Sequence, residues 1–228
     1  MNKQKLLRSV APFSRLSDDQ LDLVAARLGN ALFKRGETIF HQGSPGSVLY
    51  IIVSGQVRIY TTGETGQELS VTIFRTGDFF GELALLDNQP RSASAEAMVP
   101  TRTLTLHRTD FVPIVTEHPA IAIAILETLA VRLRNSNIYA GHLANYTAPQ
   151  RVVHQLLNLA TRYGVTNGIA TSIELHLTQD DLASLSGTTR ETVNRVLASL
   201  RDQGLIQVER ARVRILDPGQ LQHALPEY

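Results

Sequence analysis

Two stretches of this 228-residue chain carry residues whose types and spacing can do chemistry. The first is FGELALLDNQPRSASA, from Phe80 to Ala95. Gly81 precedes what reads as a one-turn helix, so the amides of Glu82, Leu83 and Ala84 face a common spot, and a helix start of this kind favours an anion. Arg91 then returns with a planar cationic fork suited to a phosphate, and Ser92 adds a small hydroxyl. Glu82 would repel a phosphate, but it can accept from a ribose hydroxyl beside one. Phosphate donors with one sugar acceptor in a single cassette argue for a nucleotide. A Glu82–Arg91 ion pair that merely closes the loop is the other arrangement these residues allow.

The second stretch is TQDDLASLSGTTRETVNRVLASLRDQGLI, from Thr178 to Ile206. Thr178 can cap a helix whose apolar face is Leu182, Ala183 and Leu185. Gly187 permits a tight turn, and a second helix opens at Thr188 or Thr189. Val193, Val196, Leu197 and Leu200 form its buried stripe, which turns Arg190, Glu191, Asn194 and Arg195 outward. Two helices about a glycine turn form the helix-turn-helix pattern, whose second helix enters the DNA major groove. Arg190 and Arg195 can each present a fork to guanine, and Glu191 can accept from cytosine. Thr188, Thr189 and Thr192 suit phosphate positioning. Thr188-x-x-Glu191 is also a capping box, so Glu191 has a purely helical use as well. The hairpin that follows places Arg210 and Arg212 near its tip as a basic wing. Between Ser186 and Arg214 six arginines face three acids, while the whole chain carries only +1.

These groups need elements to hold them. Ser17 with Gln20 forms a capping-box pattern ahead of Leu21, Val24, Ala25 and Leu28 at helical spacing. From Phe33 to Leu106 the chain changes to short strand-like runs separated by glycines: Thr38–Phe40, Val48–Val53, Val57–Tyr60, Leu69–Phe74 and Thr103–Leu106. Many short strands predict a small antiparallel roll. From about Pro119 to Asn145 the period becomes helical. Leu126, Leu133 and Ala140, each followed four residues on by Ala130, Asn137 and Ala144, form an a/d seam that predicts a paired helix in a homodimer. A helix lying on its own domain is the plainer alternative. Pro149 predicts a break, Arg151–Tyr163 a helix, and Gly164–Ser172 a loop. The fold class expected is α+β: a β-roll over residues 1–118, a dimerisation helix over 119–146 and a winged helix-turn-helix over 147–228.

Composition narrows the classes. The chain has no cysteine, which removes disulfides and thiolate clusters. No apolar run approaches the roughly 20 residues of a membrane span, and the basic start lacks an apolar signal core. Neither a membrane partner nor secretion is expected, and the cytoplasm suits the chain. The seven histidines are scattered, with no metal-ligand spacing and no nucleophile elbow, so neither a metal nor an enzyme is predicted.

The Arg-Glu-Thr-Val-x-Arg run at Arg190–Arg195 is similar to the recognition helix of the cyclic-AMP receptor protein/FNR family. The Phe80–Ala95 stretch resembles the phosphate-binding cassette of cyclic-nucleotide-binding domains. The resemblance covers roughly Leu16 to Leu216. It implies that Arg190, Glu191 and Arg195 read a TGTGA-like half-site, and that cyclic AMP is the allosteric effector. It also implies that Arg132, Ser136 and Asn137 of the long helix meet the base. Members often carry a Thr/Ser pair at the last two positions. Asn137, which is also a predicted seam position, leaves the base preference open. Gln179 stands where some members have a basic phosphate contact. By the same analogy, RNA polymerase would meet the Thr161–Gly168 segment. Rival readings share the architecture: a constitutive regulator, or one controlled by cyclic GMP or cyclic di-GMP. An isolated cyclic-nucleotide module would explain the roll but not the second stretch.

Overall fold

The computed structural model describes residues 3–209 and 212–223. The chain forms two compact units. One runs to Gln67 and from Val71 to Asn137; the other takes Glu68–Ser70 and the chain from Ile138 onward.

The first unit opens with α1 (Lys3–Ser9), a 3-10 turn at Ala11–Phe13, and α2 (Asp18–Ala26). The capping box expected at Ser17 and Gln20 is formed, satisfying two amides at the start of α2. Next come β1 (Gly29–Phe33), β2 (Thr38–Phe40), β3 (Val48–Ser54), β4 (Gln56–Thr62), β5 (Glu68–Arg75) and β6 (Phe79–Phe80). α3 (Leu83–Asp87), β7 (Ser94–Ala97), β8 (Thr101–His107) and α4 (Arg108–Glu117) follow, and then α5 (Pro119–Asn145), whose last residues belong to the second unit.

The strands make two four-stranded sheets, ordered β1-β8-β3-β6 and β2-β7-β4-β5. The two-residue period of β3 explains how they are held. Leu49, Ile51 and Val53 join a core with Leu7, Phe13 and Leu21 from the N-terminal helices and Phe111, Ile114, Ile121 and Ile125 from α4 and α5. Ile52, between them, points the other way and packs with Phe80 of β6 and with Val57, Phe74 and Ala95 from the second sheet. One sheet therefore carries helices on one face and its partner sheet on the other. β1, β7, α1 and α4 were not in the sequence reading.

The second unit holds α6 (Ala148–Tyr163), β9 (Gly164–Asn167), β10 (Ala170–Ile173), α7 (Gln179–Ser186), α8 (Arg190–Asp202), β11 (Ile206–Glu209), β12 (Arg212–Ile215) and α9 (Pro218–His223). Its sheet is ordered β11-β12-β10-β9. Two expectations change here. Pro149 sits inside the first turn of α6, capped by Thr147, because a proline there removes only an amide that the helix leaves unpaired anyway. The predicted loop at Gly164–Ser172 is mostly the β9–β10 hairpin, with Gly168 at its turn at φ 65°. Among the described residues no single helix is long and apolar enough to cross a membrane.

Candidate functional site

In the first unit the cassette closes around Arg91. Its backbone is anchored to the glycine-rich loop before β3: the Arg91 amide donates to Ser44 O at 2.9 Å, and the Gly43 amide donates to Arg91 O at 2.8 Å. The guanidinium donates from Nη1 to Gly81 O and from Nη2 to Val48 O, both at 2.7 Å, and lies 4.2 Å over the Phe40 ring. Two glycines make room for it. A Cβ on Gly46 would come within 2.7 Å of Arg91 Nε, and one on Gly81, at φ 81°, within 2.8 Å of Nη1. Arg91 is only 6% exposed, yet its Nε is buried without a partner. Burial pulls its pKa down; Tyr50 and Glu82 oppose that. Among the described residues no carboxylate lies within ion-pair distance of Arg91. A buried cation with an orphaned donor is costly by itself and suits an anion.

Glu82 is 3% exposed and precedes the first residue of α3. It does not close the loop with Arg91. Its Oε1 instead accepts from Arg132 Nη1 at 2.7 Å, and Arg132 Nη2 donates to Phe79 O at 2.6 Å. The Arg132 guanidinium also lies 4.5 Å over Phe74 and 4.6 Å over Phe79. Both ends of the cassette are thus held by arginines stacked on aromatic rings, an arrangement worth more when desolvated. Phe40, Phe74 and Phe79 were missed in the sequence; the Phe79-Phe80 pair directly before Gly81 was the available signal. Gly81, Glu82, Ala84, Arg91 and Arg132 come together. Leu83 and Ser92 are exposed beside them, and Ser136 and Asn137 are exposed further along α5. The residues present fit a cyclic nucleotide's phosphate and sugar.

In the second unit Thr178 caps α7, its side chain accepting from the Asp181 amide, and Asp181 answers from its carboxylate. Gly187 ends α7 in the left-handed conformation at φ 57°, where a side chain would be strained. Arg151 of α6 grips the turn, donating at 2.8 Å to Ser186 O, to Gly187 O and to Tyr146 O. α8 is capped by Thr189, which accepts from the Thr192 amide, and not by the Thr188–Glu191 box. Glu191 is fully exposed. Its carboxyl is held below its ordinary value by its own backbone amide, then by Thr189 and Arg190. Arg190, Glu191, Asn194 and Arg195 all face out from α8, while Val193, Val196, Leu197 and Leu200 are buried. Arg212 is exposed on β12; Arg210 lies outside the described residues. The outward face of α8 therefore presents two arginines, a carboxylate and an amide.

Comparison with known proteins places both halves. Residues 31–118 match the cyclic nucleotide-binding domain family, and residues 150–224 match the Crp-like helix-turn-helix domain. The chain is 36% identical to the CRP-like cAMP-activated global transcriptional regulator of Mycobacterium tuberculosis, over 95% of this chain and 97% of that one. The chain belongs to the cyclic-AMP receptor protein/FNR family of transcription regulators. It is also 35% identical to the cyclic AMP receptor protein of Thermus thermophilus, covering 92% of this chain and 94% of that one. Among solved structures it resembles the c-di-GMP responsive regulator CLP of Xanthomonas campestris, with TM-score 0.74, 23% identity, and coverage of 87% of this chain and 99% of that one. This member of the family is a cyclic-nucleotide-responsive, DNA-binding transcription regulator with a β-roll, a long helix and a C-terminal helix-turn-helix.

Proposed function

We propose that this regulator is a cytoplasmic homodimer controlled by cyclic AMP and reading a TGTGA-like palindrome. The observation that carries the ligand assignment is Arg91: buried, cationic, and left with an unpartnered Nε beside Gly46. Arg91 would hold the cyclic phosphate with Ser92 and the amides that open α3, and Glu82 would accept from the ribose hydroxyl. Arg132 already joins Glu82 to α5, so a change at Glu82 is felt directly by the long helix. Ser136 and Asn137 are the α5 groups left to meet the base. The dimer is supported by the seam positions Leu126, Ala130, Leu133, Asn137, Ala140 and Ala144, all of which are exposed in the single chain.

A ligand shifts such a dimer only by its differential affinity for two states. The loaded state is the one that holds two copies of α8 about one DNA turn apart. There Arg190, Glu191 and Arg195 read base edges, while Thr178, Thr188, Thr189 and Thr192 position phosphates. The Thr161–Gly168 segment, in which Val165 is exposed, is the surface offered to RNA polymerase.

Calorimetric titration with cyclic AMP, cyclic GMP and cyclic di-GMP tests the effector. Micromolar or tighter binding of cyclic AMP alone supports the reading. Preference for cyclic di-GMP would favour the alternative that the Xanthomonas regulator's effector keeps open. No binding of any of the three would mark a constitutive regulator.

A further inference from the structure

We propose that Asp180 is a specificity-determining residue of the DNA-reading surface, holding the Arg190 guanidinium in the attitude in which it meets a base. This rests on the assignment of Arg190 as a base reader. Two adjacent acids open α7, and they do different things. Asp181 is committed to the cap, its Oδ2 accepting from the Thr178 amide and hydroxyl at 2.8 and 2.7 Å. Asp180 takes no part in that cap. Its Oδ2 accepts instead from Arg190 Nη1 at 3.4 Å, joining the first turn of α7 to the first residue of α8. The pair belongs to a cleft of about 340 Å³ that Leu177, Leu182, Leu197 and Val208 line on its apolar side. Arg190 thus lines a partly apolar cleft while its head is held by a carboxylate.

A carboxylate on a face that meets DNA is unfavourable toward phosphates. Its position in the first turn of α7 suits the helix dipole, but that would be served equally by Asp181 alone. The contact with Arg190 gives it a further use. One edge of a guanidinium is occupied by Asp180, and the remaining donors stay free for the O6 and N7 acceptors of guanine. When the helix sits in the wrong register, the same carboxylate meets phosphate and penalises the complex, so it discriminates by repulsion as well as by orientation. Both side chains are largely exposed, at 58% and 67%. An ion pair that open adds little to stability, so its removal should leave the fold intact and change recognition.

The test uses the full chain as wild type, Asp180→Asn, Asp180→Glu, Arg190→Ala and the Asp180→Asn/Arg190→Ala double variant, with saturating cyclic AMP and also without it. Binding sites are selected from randomised duplexes. Affinity is then measured for the selected duplex, for each single base-pair replacement, and for an unrelated duplex. Arg190→Ala should flatten the preference at one position of each half-site. Asp180→Asn should lose about 5-fold or more of the discrimination at that same position, while binding the unrelated duplex at least as tightly as wild type. Asp180→Glu should retain most of it, and the double variant should match Arg190→Ala. If Asp180→Asn strengthens binding to every duplex by one common factor, Asp180 is a solvated charge and the proposal is overturned. If Arg190→Ala itself leaves every preference unchanged, the base-reading assignment of Arg190 fails and takes this inference with it; that failure shows in a different arm.

Discussion

At the scale of single residues, the two arginines on which the proposed function rests live in opposite environments. Arg91 is buried, and each of its hydrogen bonds is charge-assisted, of the order of 1.5–3 kcal/mol when desolvated. On the proposed reading, replacing it with alanine removes the phosphate's principal donor. Calorimetry on Arg91→Ala should show cyclic AMP binding weakened by about 100-fold or more, with a far-ultraviolet spectrum like that of wild type. Normal affinity in that variant would sink the pocket assignment. Arg190 is exposed, so Arg190→Ala should cost the folded protein almost nothing. It should instead remove about 1–3 kcal/mol of discrimination at one operator position, read by competition between duplexes that differ there. Glu82 shows why residue types alone left two answers. A carboxylate and an arginine nine positions apart can pair or can share a ligand, and only the arrival of Arg132 from α5 shows that Glu82 is spoken for by a third group.

At the scale of elements, α5 is the informative case. Its exposed leucines at 126 and 133, 64% and 62% accessible, stand one heptad apart on the predicted seam. Leu133→Asp places a charge where the partner helix should pack, and sedimentation should show the dimer dissociating at concentrations at which wild type stays paired. A variant that remained dimeric would return the seam to the plainer reading of a solvated helix face. The junction of α5 with α6 carries a second testable feature. His142 and Tyr146 of α5 meet His154 of α6, the Tyr146 and His154 rings stacked 4.5 Å apart and the two imidazoles 4.6 Å apart. Burial lowers the pKa of both histidines from 6.5, and for His154 the nearby His142 adds to this. A histidine held low in the fold is neutral there while the unfolded chain takes up protons, so its contribution is present above about pH 6.5 and is lost as pH falls through the folded value. Thermal unfolding of the protein should show midpoints falling below pH 6.5. His142→Phe with His154→Phe should flatten that part of the profile.

For the whole molecule, the central quantity is a coupling free energy between ligand and DNA. Regulators of this type need about 1–3 kcal/mol, a 5- to 150-fold change in operator affinity. Titrating operator DNA with and without cyclic AMP measures it, and linkage requires the same factor in cyclic AMP affinity with and without DNA. Equal operator affinities in both conditions would mean that the nucleotide, even if bound, does not regulate. On the proposed reading, coupling would begin at the contact of Glu82 with Arg132, which joins the cassette to α5.

Much of this was legible in the sequence, for a local reason. Caps, turn glycines and two- or 3.6-residue periods are encoded within a few residues of where they act. The Ser17 cap, strands β2 to β5, the length of α5, and the α7–Gly187–α8 turn could all be read directly. The Phe80–Ala95 stretch and α8 are contiguous runs, so their residue types could be weighed together as well. What depended on tertiary structure were contacts between distant segments. No spacing rule joins Arg132 to Glu82, 50 residues away, or stacks Arg91 on Phe40, or brings Arg151 to the carbonyls of Ser186 and Gly187. Strands β1 and β7 were missed because their short runs of alanine, serine and asparagine carry little intrinsic preference. They become strands by pairing with β8, β2 and β4. Thr189 was preferred over Thr188 as the cap of α8 because the left-handed Gly187 sets where that helix can begin. Local chemistry names the groups; the burial of a common core decides which of them meet.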